Sequence, residues 1–361
     1  MKKHLLVTVV LLMSLSFAYG QSKYSNEFLS LGIGARGLAM GNTMCAISDD
    51  VTAAYWNPAG LGRMDKKYQL SLMHAEYFAG VAKYDYAGIG YKIDDRSSVA
   101  LSYIRFGVDN IMNTTELIDA QGNVDYDRIS YFSASDNAFL LSYAYNFEKV
   151  PGLSLGANAK IIYRNIGKFA NAWGFGLDFG LQYNHKGWQA GAMLRDGTST
   201  FNAWNYHLTD QVIDIFHQTG NEIPENELEL TLPALMLGAG KYVELGKGFN
   251  ATFALGLDCT FDGKRNTLIK SNVLSMDPHF GMEFAYKKIV ALRAGIGNFQ
   301  QEPDFDGKKK TTLQINLGVG VCIKNIVSID YAFTDLGDIS IAQYSHIISL
   351  KVAIDRFKKQ Q

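Results

Sequence analysis

Apolar and polar residues alternate along most of the chain after residue 66. The alternation is clearest over 172–184, where aromatic and aliphatic residues interleave with glycine, aspartate and glutamine. A period of two places successive side chains on opposite faces, which predicts strands with one apolar face and one small or polar face. We identify fourteen such segments, at 67–78, 82–93, 97–107, 137–147, 151–164, 172–184, 187–195, 229–243, 249–261, 278–286, 289–298, 311–322, 325–333 and 344–355.

The lengths of these segments favour a membrane-spanning barrel. Most have 9 to 15 residues. Strands of soluble proteins average about 5–6 residues, whereas a tilted strand needs about 9–11 to cross a bilayer. We therefore predict an all-β fold, a fourteen-stranded antiparallel transmembrane β-barrel.

The connections predict how this barrel is oriented. Those after even-numbered segments have two to five residues, and six of the seven after odd-numbered segments are longer than any of these. Outer-membrane barrels have tight periplasmic turns and long extracellular loops. We therefore expect both barrel ends on the periplasmic side and the longest connections, 108–136 and 196–228, on the outside.

Composition supports this fold over a large soluble β-sandwich or propeller. Tyrosine contributes 20 residues, phenylalanine 21 and proline 6, and charged residues make up 19% of the chain. A soluble sheet carries charge on its solvent face, whereas the second face of these segments is mostly Gly, Ser, Asn and Gln. An open sheet edge in lipid would leave backbone groups unsatisfied, so the strands are expected to close.

Charge and cysteine content argue against several other classes. The net charge is −1 and the basic residues are scattered, so no nucleic-acid partner is predicted. Cys45, Cys259 and Cys322 show no CxxC spacing, which predicts neither a disulfide framework nor a zinc site. One pair could still form in an oxidising compartment, and the sequence does not choose it.

The first twenty residues predict export to the cell envelope. Lys2 and Lys3 precede an apolar run, and the small residues Ala18 and Gly20 follow it at the cleavage positions, the pattern of a cleaved secretory signal peptide. We therefore predict a signal peptide over 1–20, an N-terminal plug or hatch over 21–66, the barrel over 67–357 and a polar tail over 358–361. The plug is expected because a barrel wider than about eight strands leaves a channel unless something fills it.

The candidate site residues, which lie in this plug, are Asp49, Asp50, Trp56, Asn57 and Pro58. The two aspartates can cap and charge a helix N-terminus, and the proline can set a turn. A structural role and a functional role are both open for these residues.

The same region predicts one short helix. Ser48 or Asp49 is expected to cap it, and it should end before Pro58, because proline disfavours a helical residue in front of it.

Two motifs that resemble enzyme signatures have structural interpretations. Gly32 to Gly37 fit GxGxxG but lack the strand and helix of a dinucleotide site, so we expect close packing in the plug. Ser154 fits GxSxG but lies within an alternating strand, where a lumen-facing hydroxyl is expected. The histidines have no metal-ligand spacing. No enzyme activity, metal or cofactor is predicted.

The segment from Phe28 to Met64 closely resembles the start of the PorV/PorQ family of outer-membrane barrels. The matching residues are Gly34-Ala35-Arg36, Met40-Gly41, Asp49-Asp50 and Tyr55-Trp56-Asn57-Pro58-Ala59-Gly60-Leu61, with Ala291-Leu292-Arg293-Ala294-Gly295, Asp330-Tyr331-Ala332-Phe333, Leu336-Gly337-Asp338, His346 and Ser349-Leu350 at the far end. The family is similar in fold to FadL-type transporters, which are fourteen-stranded barrels with an N-terminal hatch that contains an Asn-Pro-Ala element.

This resemblance implies a non-enzymatic role in type IX secretion, with the C-terminal signal domains of cargo or other secretion proteins as partners. The alternative is a FadL-like passive channel for small hydrophobic compounds, suggested by Asn57-Pro58-Ala59 in the predicted plug. A contiguous apolar pocket in the lumen would favour the channel, and a lumen packed with polar side chains would count against it. In both cases outer-membrane lipid surrounds the protein.

Overall fold

The computed structural model describes residues 25–118, 122–303, 309–336 and 345–355. Within them, fourteen antiparallel strands form one closed β-barrel, which confirms the predicted fold class. The first strand pairs with both the second and the last, so the sheet has no free edge.

The strands follow one another around the barrel in chain order. They are β1 Tyr68–Tyr77, β2 Ala82–Lys92, β3 Ser97–Asn113, β4 Ser130–Asn146, β5 Leu153–Ile166, β6 Ala170–His185, β7 Trp188–Arg195 continued by Thr200–Tyr206, β8 Leu228–Thr231 continued by Ala234–Gly246, β9 Phe249–Thr260, β10 Ser275–Tyr286, β11 Val290–Pro303, β12 Lys309–Ile323, β13 Val327–Leu336 and β14 Ser345–Ile354.

A few short elements accompany the barrel. They are helices at Glu27–Leu29, Ala35–Ala39, Ala53–Trp56, Pro58–Arg63, Tyr126–Arg128 and Asp210–Thr219, and a short strand at Ile269–Lys270 that pairs with β10. None of the helices in the described ranges is long and apolar enough to cross a membrane.

The alternation in the sequence corresponds to the two faces of the barrel wall. On β4, Leu141 points outward and is 62% exposed, whereas Ser142 points into the lumen and is 1% exposed. Other outward residues are also large and apolar, such as Leu101, Trp173 and Leu292. An apolar outer surface around a closed barrel is the arrangement that crosses a membrane.

The two longest connections were predicted wrongly in part. Strands β3 and β4 extend into 108–136 from both sides. They continue to pair with each other past the points where their other neighbours, β2 and β5, end. The region 196–228 contains the second half of β7 and the helix Asp210–Thr219. Strand ends that project past the lipid no longer need an apolar outer face, so the period-two pattern fades there.

Residues 25–64, which we call the N-terminal segment, lie inside the barrel. Their polar groups reach several strands of the wall: Val51 N–H donates to Gln69 of β1 at 2.9 Å, and Asn158 of β5 donates to the Ala54 carbonyl at 2.8 Å. Next to β1, Ala35 N–H donates to Ser349 of β14 at 3.0 Å.

The segment also shares an apolar core with the inner face of the wall, to which it contributes fully buried residues that include Ile33, Met40, Met44 and Ile47. Burying one such side chain contributes about 1.5–3 kcal/mol. The predicted signal peptide over 1–20 and tail over 358–361 lie outside the described residues, and the domain boundaries remain predictions.

The short helix in this segment begins later than the sequence suggested. It spans Ala53–Trp56, and neither Ser48 nor Asp49 caps it. Instead Asp50 Oδ1 accepts from Thr52 N–H at 2.9 Å. The cap prediction was therefore wrong: the N-cap position is Thr52, three to four residues later, no side chain caps the helix, and the side chain of Asp49 pairs with Arg36 instead.

Candidate functional site

Asn57 is the point where the N-terminal segment is most tightly joined to the wall. Its side chain is fully buried, and Nδ2 donates to the carbonyls of Cys45 at 2.9 Å, Leu181 of β6 at 3.0 Å and Ala192 of β7 at 3.3 Å. Its Oδ1 accepts from Ala59 N–H at 3.2 Å. An uncharged amide is suited to this place because it can donate and accept at once.

Pro58 follows at the start of the helix Pro58–Arg63 and packs against glycines of the wall. A Cβ atom at Gly180 would lie 2.9 Å from the Pro58 Cδ, and one at Gly156 would lie 2.3 Å from the Pro58 carbonyl carbon. The glycines on β5 and β6 are thus what allows the turn to approach the wall.

Trp56 lies within the segment and organises its interior. Its Nε1 donates to the Ile33 carbonyl at 3.2 Å, and its ring packs edge-on against Tyr55 with centroids 4.8 Å apart. A Cβ atom at Gly37 would lie 2.7 Å from the indole. The glycine-rich stretch expected to pack in the plug therefore packs against this ring.

Asp50 joins the segment to the last strand through a buried ion pair. One of its oxygens lies 2.7 Å from Lys351 Nζ of β14, and the other accepts from Thr52. Burial alone would raise the pKa of the Asp50 carboxyl, but Lys351 and Arg36 together hold it well below its ordinary value.

Asp49 is the most exposed of the five candidates and belongs to a larger charge network. It pairs with Arg36 at 3.0 Å, and Arg36 also makes a bidentate contact with Glu283 of β10, at 3.0 and 3.1 Å. Glu283 in turn accepts from Arg293 of β11 at 2.6 Å. The network therefore ties the segment to two further strands.

The structure brings Asp49 and Asp50 together at one end of the lumen and places Asn57, Pro58 and Trp56 deeper. Sequence analysis missed their wall partners Glu283, Arg293 and Lys351. The signal was present, because each is a charged residue at an inward position of a strand whose neighbouring residues are apolar.

The N-terminal segment divides the lumen into two cavities. One, of about 360 Å³, opens among the short turns and is lined by the charge network of Arg36, Asp50 and Glu283. We call it the turn-end cavity. The other, of about 530 Å³, opens among the long connections, and we call it the loop-end cavity.

The loop-end cavity has two chemically different sides. Leu31 and Leu38 of the segment and Tyr77 and Phe78 at the end of β1 contribute an apolar wall. Acidic and polar side chains, including Asp277, contribute to the rest of the lining. The lumen is therefore neither the contiguous apolar pocket that would have favoured a channel nor packed solid with polar side chains.

The wall is interrupted at β7, where four residues, 196–199, separate the two halves of the strand. There Lys160 of β5 is buried between Asp178 of β6, at 3.0 Å, and Asp196, at 2.5 Å. Asp196 N–H also donates to Asp178 at 2.8 Å. These bonds replace the sheet pairing that the bulge interrupts, so the interruption is stabilised from inside the barrel.

Known proteins share this architecture at low sequence identity. No family model and no curated protein sequence matches the chain. Among solved structures, the Pseudomonas putida toluene transporter TodX aligns with TM-score 0.57 and 12% identity over 89% of this chain and 98% of that one. The monoaromatic hydrocarbon channel CymD aligns with TM-score 0.56 and 13% identity, over 90% and 98%. The Ralstonia pickettii toluene transporter TbuX gives 0.53 and 14%, over 90% and 98%.

The chain shares the fold of these hydrocarbon transporters and channels. At these identities the likeness concerns the fold alone, and the PorV/PorQ resemblance of Phe28 to Met64 stays a prediction.

Other chemistry-bearing groups of the described residues form no evident reactive site. No cluster of three or more His, Cys, Asp or Glu side chains there is arranged to hold a metal ion. Cys45, Cys259 and Cys322 are free thiols. Burial raises the pKa of the Cys45 thiol to about 12, which makes it unreactive while the segment stays in place.

Proposed function

We propose that this protein is an outer-membrane channel for small hydrophobic compounds, with the N-terminal segment as its hatch. The observation that carries the proposal is the loop-end cavity, whose apolar wall of Leu31, Leu38, Tyr77 and Phe78 ends on that segment. A volume of about 530 Å³ lies within the range of about 300–1,000 Å³ usual for small-molecule sites. The shared fold with hydrocarbon transporters supports the same class of solute.

The proposal includes a location and an orientation. The apolar outer face suits outer-membrane lipid, and the short turns are proposed to face the periplasm. The role is proposed to be non-enzymatic, because the loop-end cavity is suited to binding a compound and letting it pass.

Passage requires the N-terminal segment to move, because it separates the two cavities. The hydrogen bonds of Asn57 and the ion pairs of Asp50 and Arg36 hold it to the wall. A compound in the loop-end cavity would therefore pass only when part of the segment shifts away from its strands.

A disulfide between the segment and the wall tests this directly. A Cβ atom at Gly238 of β8 would lie 3.1 Å from the Cβ of Cys45, a few tenths of an ångström short of the usual disulfide spacing of about 3.5–4.5 Å. Gly238→Cys, in a background with Cys259→Ser and Cys322→Ser, should lock the segment when oxidised.

The readout is accumulation of radiolabelled toluene by a Gram-negative host that expresses the protein. We expect uptake several-fold above the empty vector, lost on oxidation of the Gly238→Cys variant and restored by dithiothreitol. The same treatment of the background without Gly238→Cys is the control. Uptake equal to that of the empty vector would contradict the proposal.

A second candidate function, participation in type IX secretion, has its own support. Besides the resemblance of Phe28 to Met64, the projecting tip of β3 and β4 exposes large apolar side chains: Met112 at 63%, Ile118 at 63%, Val124 at 54%, Tyr126 at 72% and Tyr131 at 61%. Exposed apolar groups gathered beyond the membrane are typical of protein contact surfaces.

This candidate is tested by deleting the gene in its native host and by capture of partners on the tagged protein. Loss of surface anchoring of secreted proteins, together with recovery of secretion components by the parent but not by a Tyr126→Ser and Tyr131→Ser variant, is the expected result. Normal secretion in the deletion strain would exclude it.

A further inference from the structure

We propose that the loop-end cavity selects compounds that carry a positively charged amino group on an apolar body, and that the amino group binds between Asp258 and Asp277. This inference rests on the proposed function for its biological role and names the solute class more narrowly. Binding itself is measurable without any transport.

The two aspartates form a carboxylate pair directed into the lumen. Asp258 of β9 and Asp277 of β10 are direct cross-strand partners, and both strands place them on the inward face. Directly opposed residues have Cβ atoms about 4.5–5.5 Å apart, and like charges at that spacing are destabilising. A cation bound between the two carboxylates would be stabilised by both of them.

The basic side chain nearest this pair is His279, whose Nε2 lies 3.5 Å from Asp258 and 3.6 Å from Asp277. When its imidazole is protonated it forms a long ion pair with both carboxylates, and its single charge balances only one of their two. Arg195 and Arg265 also line the cavity, but Arg195 donates to the Leu29 carbonyl and Arg265 pairs with acidic residues of its own loop and of the segment.

Buried polar atoms without a partner gather at the same place. Within the described residues, Oδ1 of Asn42, Oγ1 of Thr260, Oδ1 of Asp277 and Nε2 of His279 are buried and make no hydrogen bond, and all four residues line the loop-end cavity. His279 itself is only 8% exposed. Since buried polar atoms are nearly always hydrogen-bonded, this concentration indicates a ligand that supplies several donors.

The apolar part of the same lining indicates what else the ligand carries. Leu31, Leu38, Tyr77 and Phe78 face the same cavity and suit an aromatic or alkyl body. An organic ammonium satisfies both sides at once, because its N–H groups reach the acceptors while its apolar part packs on the rings. A metal ion does not, because the described residues contain no metal-binding group.

Benzylamine is a suitable probe, because its uncharged isosteres toluene and benzyl alcohol have almost the same shape. Purified protein in detergent is titrated with each by isothermal calorimetry at pH 7.5, where the amine is protonated. We expect benzylamine to bind at least about tenfold more tightly than benzyl alcohol, as follows from charge-assisted hydrogen bonds.

Two variants assign the site. Asp277→Asn and Asp258→Asn should each weaken benzylamine binding about tenfold or more and leave benzyl alcohol nearly unaffected. Asp214→Asn, which removes the same charge from an exposed position on the outer helix, is the matched control and should bind like the parent. Two variants are used so that loss of folding in one does not remove the test.

The outcomes separate this inference from the proposed channel. Equal affinity for benzylamine and benzyl alcohol, or variants that bind benzylamine like the parent, would overturn the inference, and the channel would stand if toluene uptake remained. Absence of benzylamine binding in a protein that still takes up toluene overturns the inference alone. Absence of both binding and uptake overturns both.

Discussion

Replacing Asn57 by alanine should release the N-terminal segment from the wall without unfolding the barrel. Asn57 contacts the segment at Cys45 and the wall at Leu181 and Ala192, whereas the barrel strands pair mainly with one another. The change removes one of several connections between the segment and the wall, and the contacts of Asp50, Arg36 and Val51 remain. It therefore tests whether the candidate residue Asn57 acts as the anchor.

The size of the effect follows from the bonds lost. Cys45 and Ala59 belong to the segment itself, so only the bonds to the carbonyls of Leu181 and Ala192 join it to the wall. An amide NH2 has two hydrogens shared among three carbonyls, so at about 1 kcal/mol per hydrogen bond the variant loses about 1–2 kcal/mol of docking free energy. Since about 1.4 kcal/mol corresponds to tenfold, the undocked population should rise about tenfold. Asn57→Asp should lose more, because a carboxylate would face carbonyl oxygens at about 3 Å.

Cys45 reports on this opening. Its thiol is 6% exposed, and in a background with Cys259→Ser and Cys322→Ser it is the only thiol left to react. When opening precedes modification, the maleimide labelling rate follows the opened population. Asn57 also makes a weak contact with this thiol that lowers its pKa. Loss of that contact would raise the pKa and slow labelling, so it cannot account for the expected acceleration.

The control is Asn316→Ala, which removes another buried asparagine that has no hydrogen bond to the segment. Folding is checked by the heat-dependent mobility that intact barrels show on gels. If Asn57→Ala folds and Cys45 is labelled within threefold of the parent rate, the anchoring argument is refuted.

Three further changes test the remaining contacts of the segment. Glu283→Gln leaves two guanidinium groups without their shared partner and should cost about 3 kcal/mol by urea unfolding, whereas the exposed Glu244→Gln should change little. The pKa of Asp50 is lowered in the folded protein. The ionised carboxylate therefore stabilises the protein fully at pH values above about 4, the ordinary pKa of an aspartate, and this stabilisation is lost as the pH falls below that value. Lys351→Met removes one of the two cations that lower this pKa and leaves Arg36, so the variant should lose less stability than the parent on acidification below about pH 4. Gly156→Val should make the segment sensitive to protease, since a Cβ atom there lies 2.3 Å from the backbone of the segment, and overpacking costs about 1–3 kcal/mol.

The loop regions show where the period-two signal ends. Over Phe175 to Tyr183 the signal is strong, because one face meets lipid and the other meets the lumen. Over 130–136 the strand continues with both faces polar or half-exposed, and the pattern loses its contrast. The interruption at 196–199 was visible as the end of an alternating segment, but its continuation as Thr200–Tyr206 depends on pairing with β6.

Alternation along single strands determined the strand number, the closed barrel and the apolar outer face, because the distinction between lipid and lumen acts on each residue separately. Sequence also placed Asn57 and Pro58 in a segment that is not part of the wall. Only tertiary structure decided which side chains meet: Arg36 with Glu283, 247 residues apart, and Asp258 opposite Asp277. These contacts depend on the register of the strands and on how the barrel closes around the N-terminal segment. Neither is a property of any local stretch of chain.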